Sequence, residues 1–254
     1  MVENKENPNK SQIRVIDRVF SILFFMGHAK EPLGVTEIAK SVDLPKATVY
    51  RILDSLITHR VVTEREGRYE IGPATLFLAD AYRSQVVFSE IARPFLENLN
   101  HETKETIHLF IFDREELFYI DKLESPYQVR MHSRVGVKGS LINLSAGKAI
   151  LSSLQWEDVC RILGADATQE LHEELEEIRL RGYAVDNERN EKGLRCVGSV
   201  IVNGSLKPLG GLSLSAPVYR FDSAMITDYG DKVHKTAQAI SSALLQYEQK
   251  RFKK

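Results

Sequence analysis

Between Val35 and Leu53 the chain reads VTEIAKSVDLPKATVYRIL, two short apolar-periodic runs with Asp43-Leu44-Pro45 wedged between them. Proline ends a helix in its interior but is pre-set for a helix's first turn, so this stretch stops one helix and starts the next within a few residues. In the second run Val49, Ile52, Leu53 and Leu56 recur at i, i+3, i+4 and i+7, the spacing of a buried stripe. Lys46, Ala47, Thr48, Tyr50, Arg51, Asp54 and Ser55 are left outside. In the first run Thr36 is expected as N-cap, with Glu37 in the first turn, where the helix dipole favours negative charge. A support helix, a sharp turn and a second helix with a polar outer face make a helix-turn-helix.

The flanks extend this unit. Ile13 to Met26 reads as a mostly buried helix, with Val15, Val19, Ile22, Leu23 and Met26 at spacings of three and four and Gly27 as its stop. Glu31-Pro32-Leu33-Gly34 is a turn. Val61 to Ile71 reads as a hairpin turning at Glu66-Gly67. Three helices and a hairpin give a winged helix-turn-helix over residues 13–72.

The outer face of the second helix suits phosphates, base edges and thymine methyls. Candidate DNA-binding residues are therefore Lys46, Ala47, Thr48, Tyr50 and Arg51. Arg65 and Arg68 on the wing, and Arg14 at the start of the first helix, are candidates for backbone contacts. Residues 1–72 hold eleven Lys/Arg against ten Asp/Glu, which predicts modest affinity for one copy and two or more copies per operator.

At 254 residues a second domain is expected. Gly72-Pro73 marks the boundary, followed by a linker helix over 73–87 and a further domain over 88–254. Alternation in Thr106 to Phe112, LFYIDKLE, VRMHSRV, KGSLINL, YAVD, LRCVGSVIV and LGGLSLSAP suggests strands, with Asn203-Gly204 turning between the last two. Helices are read over 88–101, 146–154, 156–163 and 168–181, and from Asp222 to about Gln249. Gly182 and Asp222 are caps. The result is a mixed sheet with helices at its sides.

Several chemistries are excluded by spacing. Gly147-Lys148 hints at a phosphate loop, but that motif needs Gly at 142 and Ser or Thr at 149, where Ile142 and Ala149 stand. The seven histidines, His108 among them, form no metal pattern and read as surface or structural. Cys160 and Cys196 match no zinc, redox or disulfide framework, which fits a reducing cytoplasm. No nucleophile elbow occurs, so no catalytic residue, metal or cofactor is expected. No apolar run reaches membrane-spanning length. The polar start, MVENKENPNKSQ, lacks the core of a secretory signal and reads as a disordered arm over 1–12.

IRVIDRVFSILFFM, VTEIAKSVDLPKATVYRILDSL and GRYEIG resemble the DNA-binding domain of the IclR-type (isocitrate lyase regulator) transcription factors. LINLSAGKAIL, IRLRGYAVDNERNEKGLRCVGSVIV and LGGLSLSAPVYRF resemble that family's effector domain, so the similarity covers about Ile13 to Leu245. The resemblance implies an α+β chain: a winged helix-turn-helix, a linker helix, and a GAF-like effector domain whose curved antiparallel sheet is flanked by helices. It implies a small-molecule pocket at Ser145, Ala146, Asp186, Cys196, Ser213 and Ser215, with Met131 and Leu141 as apolar wall.

These positions make chemical sense. Ser145-Ala146-Gly147 opens a helix, whose N–H groups suit a carboxylate. Ser213 and Ser215 are two apart, on one face of a strand. Asp186 suits a ligand hydroxyl or a water, whereas Cys196 also fits as a small core residue. The expected protein is a non-enzymatic, cytoplasmic regulator of double-stranded operator DNA, responsive to a small carboxylic or sugar acid. It is expected to dimerise through the first helix and the linker helix, and the family's habit adds a dimer of dimers. The alternative is a regulator with a vestigial pocket.

Overall fold

A computed structural model describes residues 14–85 and 87–252, which divide at 85/86 into two compact units. The expected arm over 1–12 lies outside the described residues. No helix among them is long and apolar enough to cross a membrane.

The first unit contains α1 (Arg14–His28), β1 (Leu33–Gly34), α2 (Val35–Ser41), α3 (Lys46–Thr58), β2 (Val62–Arg65), β3 (Arg68–Ile71) and α4 (Ala74–Gln85). Val49, Ile52 and Leu53 turn inward from α3 and join Ile22, Met26, Ile38, Val62 and Tyr69 in one core, with Leu56 at its margin. The break between α2 and α3 turns through Asp43 at φ 51°, a conformation that Asp tolerates better than most residues. Pro45 stands at the N-cap of α3. The wing turns through Glu66 and Gly67, both with positive φ, as a two-residue hairpin turn requires. β1 adds a third strand to it, in the order β1-β3-β2.

Three local expectations are corrected. The N-cap of α2 is Gly34 and not Thr36, because the Glu37 carboxylate reaches back to accept the Gly34 N–H at 2.6 Å. α1 is not mostly buried: only Ile22 and Met26 are fully inside, while Val15, Ile16, Phe20 and Phe24 are exposed. The helix also runs through Gly27 to His28.

The second unit contains α5 (Val87–Thr103), β4 (Thr106–Asp113), β5 (Glu116–Leu123), β6 (Lys138–Gly139), α6 (Ser145–Ser152), α7 (Trp156–Leu163), α8 (Gln169–Arg181), β7 (Ala184–Asn187), β8 (Leu194–Val202), β9 (Pro208–Pro217) and α9 (Ile226–Phe252). One curled antiparallel sheet runs β6-β5-β4-β9-β8-β7. Irregularities at Leu109/Phe110 and Ile201/Val202 add local twist.

Strand alternation sorts the side chains into two faces. Ile107, Leu109, Val197, Leu212 and Leu214 pack with Leu96 and Leu99 of α5 and Val233, Ala237 and Ile240 of α9. The opposite face turns toward α6. Gly182 at φ 83° ends α8 in the left-handed cap expected of glycine, and Asp222 caps the short turn leading into α9.

Every pairing in this sheet is antiparallel, so it is not the mixed sheet expected from the strand pattern, and it differs from the sequence reading at three further points. VRMHSRV is not a strand, and KGSLINL contributes only Lys138 and Gly139. The Lys122 ammonium binds the Ser133 carbonyl at 2.9 Å, so a side chain takes a backbone group that a strand would have paired. Between β8 and β9 the chain makes a longer loop than a two-residue turn, with the Asn203 side chain accepting from the Ser205 and Lys207 amides.

Candidate functional site

α3 presents Lys46, Ala47, Tyr50 and Arg51 to solvent, with Thr48 partly covered. Its buried stripe fixes the helix, so these side chains are displayed without contributing to the core. Thr48 and Arg51 border a groove shared with Val15, Arg18 and Val19 of α1, and Tyr50 borders another with Arg60, Glu64 and Tyr69. The sequence reading passed over Arg18, one helical turn beyond Arg14. Arg14 and Arg65 are exposed, Arg65 with Glu70 at 3.7 Å. Arg68 is engaged inside its own unit, where Nε donates to the Pro32 carbonyl at 2.8 Å and the guanidinium reaches Glu37 at 3.4 Å. It ties the wing to the start of α2.

The same unit exposes large apolar side chains on two helices. On α4 these are Leu76, Phe77 (75% exposed), Leu78 and Tyr82, and on α1 they include Phe20 and Phe24 (66%).

In the second unit, strand register collects the other candidates. Asp186, Cys196, Ser215 and Thr106 stand opposite one another across β7, β8, β9 and β4. The neighbouring row runs Ala184, Gly198, Ser213, His108 and Lys122. Directly opposed residues share a face, and so do positions two apart on a strand. Asp186, Cys196, Ser213 and Ser215 therefore form one buried patch with Thr106 and His108.

The N-terminus of α6 sits on this patch. A Cβ on Gly198 would lie 2.4 Å from the Ala146 nitrogen, so only glycine lets the helix approach. No side chain caps α6, and its first N–H groups are left to whatever lies beneath. Ser145 and Ala146 are buried there, and the Ser145 hydroxyl has no hydrogen-bond partner among the described residues. Met131 is buried on the loop after β5. Leu141 is partly buried and packs against the cluster that includes Tyr119, Leu144 and Ala146.

Electrostatics separate the roles. Burial raises the Asp186 carboxyl, against the Arg189 and Asn190 amides, which donate to its Oδ1 at 2.9 and 3.3 Å. Burial pushes the Cys196 thiol up to about 12, which favours the protonated form beside Ser215. Lys148, the residue of the rejected phosphate loop, is buried against Glu174 at 2.6 Å.

His108, read from the sequence as surface or structural, is fully buried and lies on the β4 side of the patch. Burial, then the nearby Lys122 charge, lowers its imidazole to about 3. Nε2 meets the Ser133 hydroxyl at 2.7 Å, and the Tyr119 ring stands edge-on at 5.4 Å. Nδ1 has no partner among the described residues. The alternation Thr106-His108-Phe110 against Ile107-Leu109 was the available signal.

Two family models match the chain: the IclR helix-turn-helix domain over residues 15–66, and the bacterial transcriptional regulator IclR C-terminal domain over residues 81–242. The HTH-type transcriptional regulator KdgR of Escherichia coli (strain K12) is 32% identical, over 89% of this chain and 91% of its own length. The crystal structure of the Thermotoga maritima IclR superposes with a TM-score of 0.74 at 29% identity, covering 92% of this chain and 99% of that one. An IclR homolog from Microbacterium hydrocarbonoxydans, crystallised with 4-hydroxybenzoate, shares the fold with a TM-score of 0.76 at 17% identity, covering 91% of this chain and 98% of that one.

Proposed function

The chain belongs to the IclR family of bacterial transcriptional regulators, and we propose that it is a homodimeric, cytoplasmic regulator whose operator binding is modulated by a small carboxylic acid held in its C-terminal unit. The observation that carries this reading is the buried polar patch beneath α6. A face buried under a helix for stability alone would be apolar, because each buried polar group without a partner costs about 1–3 kcal/mol. Here Asp186, Thr106, Ser213, Ser215 and His108 share such a face, and Ser145 and His108 hold unpartnered atoms.

The opening N–H groups of α6 and the Ser145 hydroxyl suit a carboxylate. Ser213 and Ser215 suit its further oxygens, and Asp186 suits a hydroxyl. The 4-hydroxybenzoate complex of a fold neighbour is consistent with this ligand class. The acid acts by binding more tightly to one of two states that differ in operator affinity.

On the DNA side, Lys46, Ala47, Thr48, Tyr50 and Arg51 read the major groove, while Arg14 and Arg65 take phosphates. Arg68 braces the wing that carries Arg65. The apolar faces of α1 and α4 supply surface for a second copy, which would place two α3 helices about one DNA turn, ~34 Å, apart on a near-palindromic site. A further pairing of dimers through the C-terminal units completes the proposed assembly.

The test is a thermal-shift screen of small carboxylic and sugar acids, followed by operator titrations with each hit. A ligand at 100 times its Kd adds ~2.7 kcal/mol and raises the melting temperature. The expected result is one chemical class that raises it and changes operator affinity. Hits that leave operator affinity untouched would refute the regulatory reading.

A further inference from the structure

Resting on the DNA-binding reading above, we propose that the two edges of the outer face of α3 divide the work on the operator. The edge toward α1 lies against a phosphate strand, and the edge toward the wing reads bases, with the Tyr50 ring on a thymine 5-methyl group. Helical spacing sets up the two edges. Thr48, Arg51 and Ser55 recur at i, i+3 and i+7, and Ala47, Tyr50 and Asp54 do the same one position earlier.

The two stripes border grooves of opposite character. Thr48, Arg51 and Ser55 share theirs with Arg18 of α1, so two cations line it, with no carboxylate among the described residues. Tyr50 and Asp54 share theirs with Arg60, Glu64 and Tyr69, where two carboxylates meet one cation. Glu64 is fixed there, because its side chain accepts the Gly67 N–H inside the wing turn. The Tyr69 phenol reports how close these groups stand: burial raises it, and the nearness of Tyr50, Glu64 and Asp54 raises it further.

Charge assigns each edge to a part of the duplex. A phosphate strand is drawn to the groove of Arg18 and Arg51 and repelled from that of Asp54 and Glu64. This removes the ordinary role of an exposed tyrosine at DNA, donation from its hydroxyl to a phosphate oxygen. What remains for Tyr50, which is 58% exposed, is its ring. The apolar group that a base presents in the major groove is the thymine 5-methyl, and Ala47, one turn before Tyr50, adds a methyl to the same stripe. Asp54, one turn after it, suits an exocyclic amino group of a neighbouring base.

Selection from a randomised duplex library with the full-length protein supplies the probe. Each thymine of the enriched duplex is then replaced in turn by deoxyuridine, which removes only the 5-methyl group, and affinity is read by gel shift at fixed salt. The wild type is expected to lose about fourfold at one such thymine, the worth of one buried methyl. Tyr50→Phe shows the same loss, because the ring remains. Tyr50→Ala binds the thymine and deoxyuridine duplexes equally. Asp54→Asn raises affinity for an unrelated duplex, because it removes a charge that repels phosphate. Thermal melts establish that each variant is folded.

A wild type indifferent to deoxyuridine at every thymine would overturn the proposal and leave the DNA-binding reading standing. So would a methyl preference kept by Tyr50→Ala. Tyr50→Phe binding both duplexes equally weakly would do the same, because the hydroxyl would then be the contact. Unchanged or lower affinity of Asp54→Asn for the unrelated duplex would remove the charge argument and the proposal with it. A library from which no sequence is enriched would refute the DNA-binding reading itself.

Discussion

Gly198 of β8 lies directly beneath Ala146 of α6, so close that a Cβ on the glycine would sit 2.4 Å from the Ala146 nitrogen and 2.7 Å from the Ser145 carbonyl carbon. The atoms in the way are backbone, which cannot rotate aside. Gly198→Ala should therefore push the start of α6 off the sheet. The expected cost is about 1–3 kcal/mol in urea unfolding, together with loss of the effector response. An unchanged midpoint with a full response would mean that the helix start is not held where the sheet face needs it.

Arg51 and Arg68 should behave differently despite being the same residue type. Arg51→Ala removes an exposed cation and should weaken operator binding while the melting temperature holds. If it contacts a phosphate, the slope of log affinity against log salt should fall by about one. Arg68→Ala breaks the tie to Pro32 and Glu37, so it should loosen the wing and lower thermal stability. Gel-shift titrations at several salt concentrations, paired with melts, separate the two.

Ser213→Ala combined with Ser215→Ala removes two hydroxyls from one strand face without changing volume much. Operator affinity of the ligand-free protein should be preserved and its response to the effector lost. A full response in the double variant would place the ligand elsewhere.

Acid stability should carry a signature of His108. Its native imidazole is held at about 3, below the ordinary 6.5, so below pH 6.5 the unfolded chain takes up a proton that the native state refuses. Stability from this group is intact above pH 6.5 and is lost as pH falls toward 3. Between pH 6.5 and 5.5 the wild type should lose about 1 kcal/mol more than His108→Gln, measured by urea unfolding at each pH. Parallel pH curves for the two proteins would contradict a neutral buried ring.

The apolar face of α4 offers a test of assembly. Leu76→Ser with Phe77→Ser alters two strongly exposed side chains and should leave the fold unharmed. It should shift the protein toward monomer in light scattering and reduce operator affinity, because a single α3 helix has too few phosphate contacts. A variant that stays dimeric would move the interface off α4.

The helix-turn-helix was legible in the sequence because everything that defines it is local. The stripe Val49, Ile52, Leu53, the proline at 45 and the turn at Glu66-Gly67 act within a few residues of one another, where periodicity and backbone preference decide. Ser213 and Ser215 could be placed on one face for the same reason, since strand alternation needs no knowledge of neighbours. That Asp186, Cys196 and those serines would share a pocket is what the family resemblance implied; the register of β7, β8 and β9 puts them on one buried face in the fold.

Other features depended on tertiary structure. Hydropathy marks Phe20 and Phe24 as residues to bury, yet among the described residues both stay more than half exposed, because apolarity does not name the surface that will do the covering. VRMHSRV alternates like a strand, but Lys122 takes the Ser133 carbonyl and His108 takes the Ser133 hydroxyl, so the segment lies as a loop. Strand alternation assigned His108 a face but not its neighbours. What makes it distinctive is a cross-strand register and a contact to a residue twenty-five positions away. Local periodicity decided which elements form and which face each side chain takes; only the register between distant strands decided which of those faces meet.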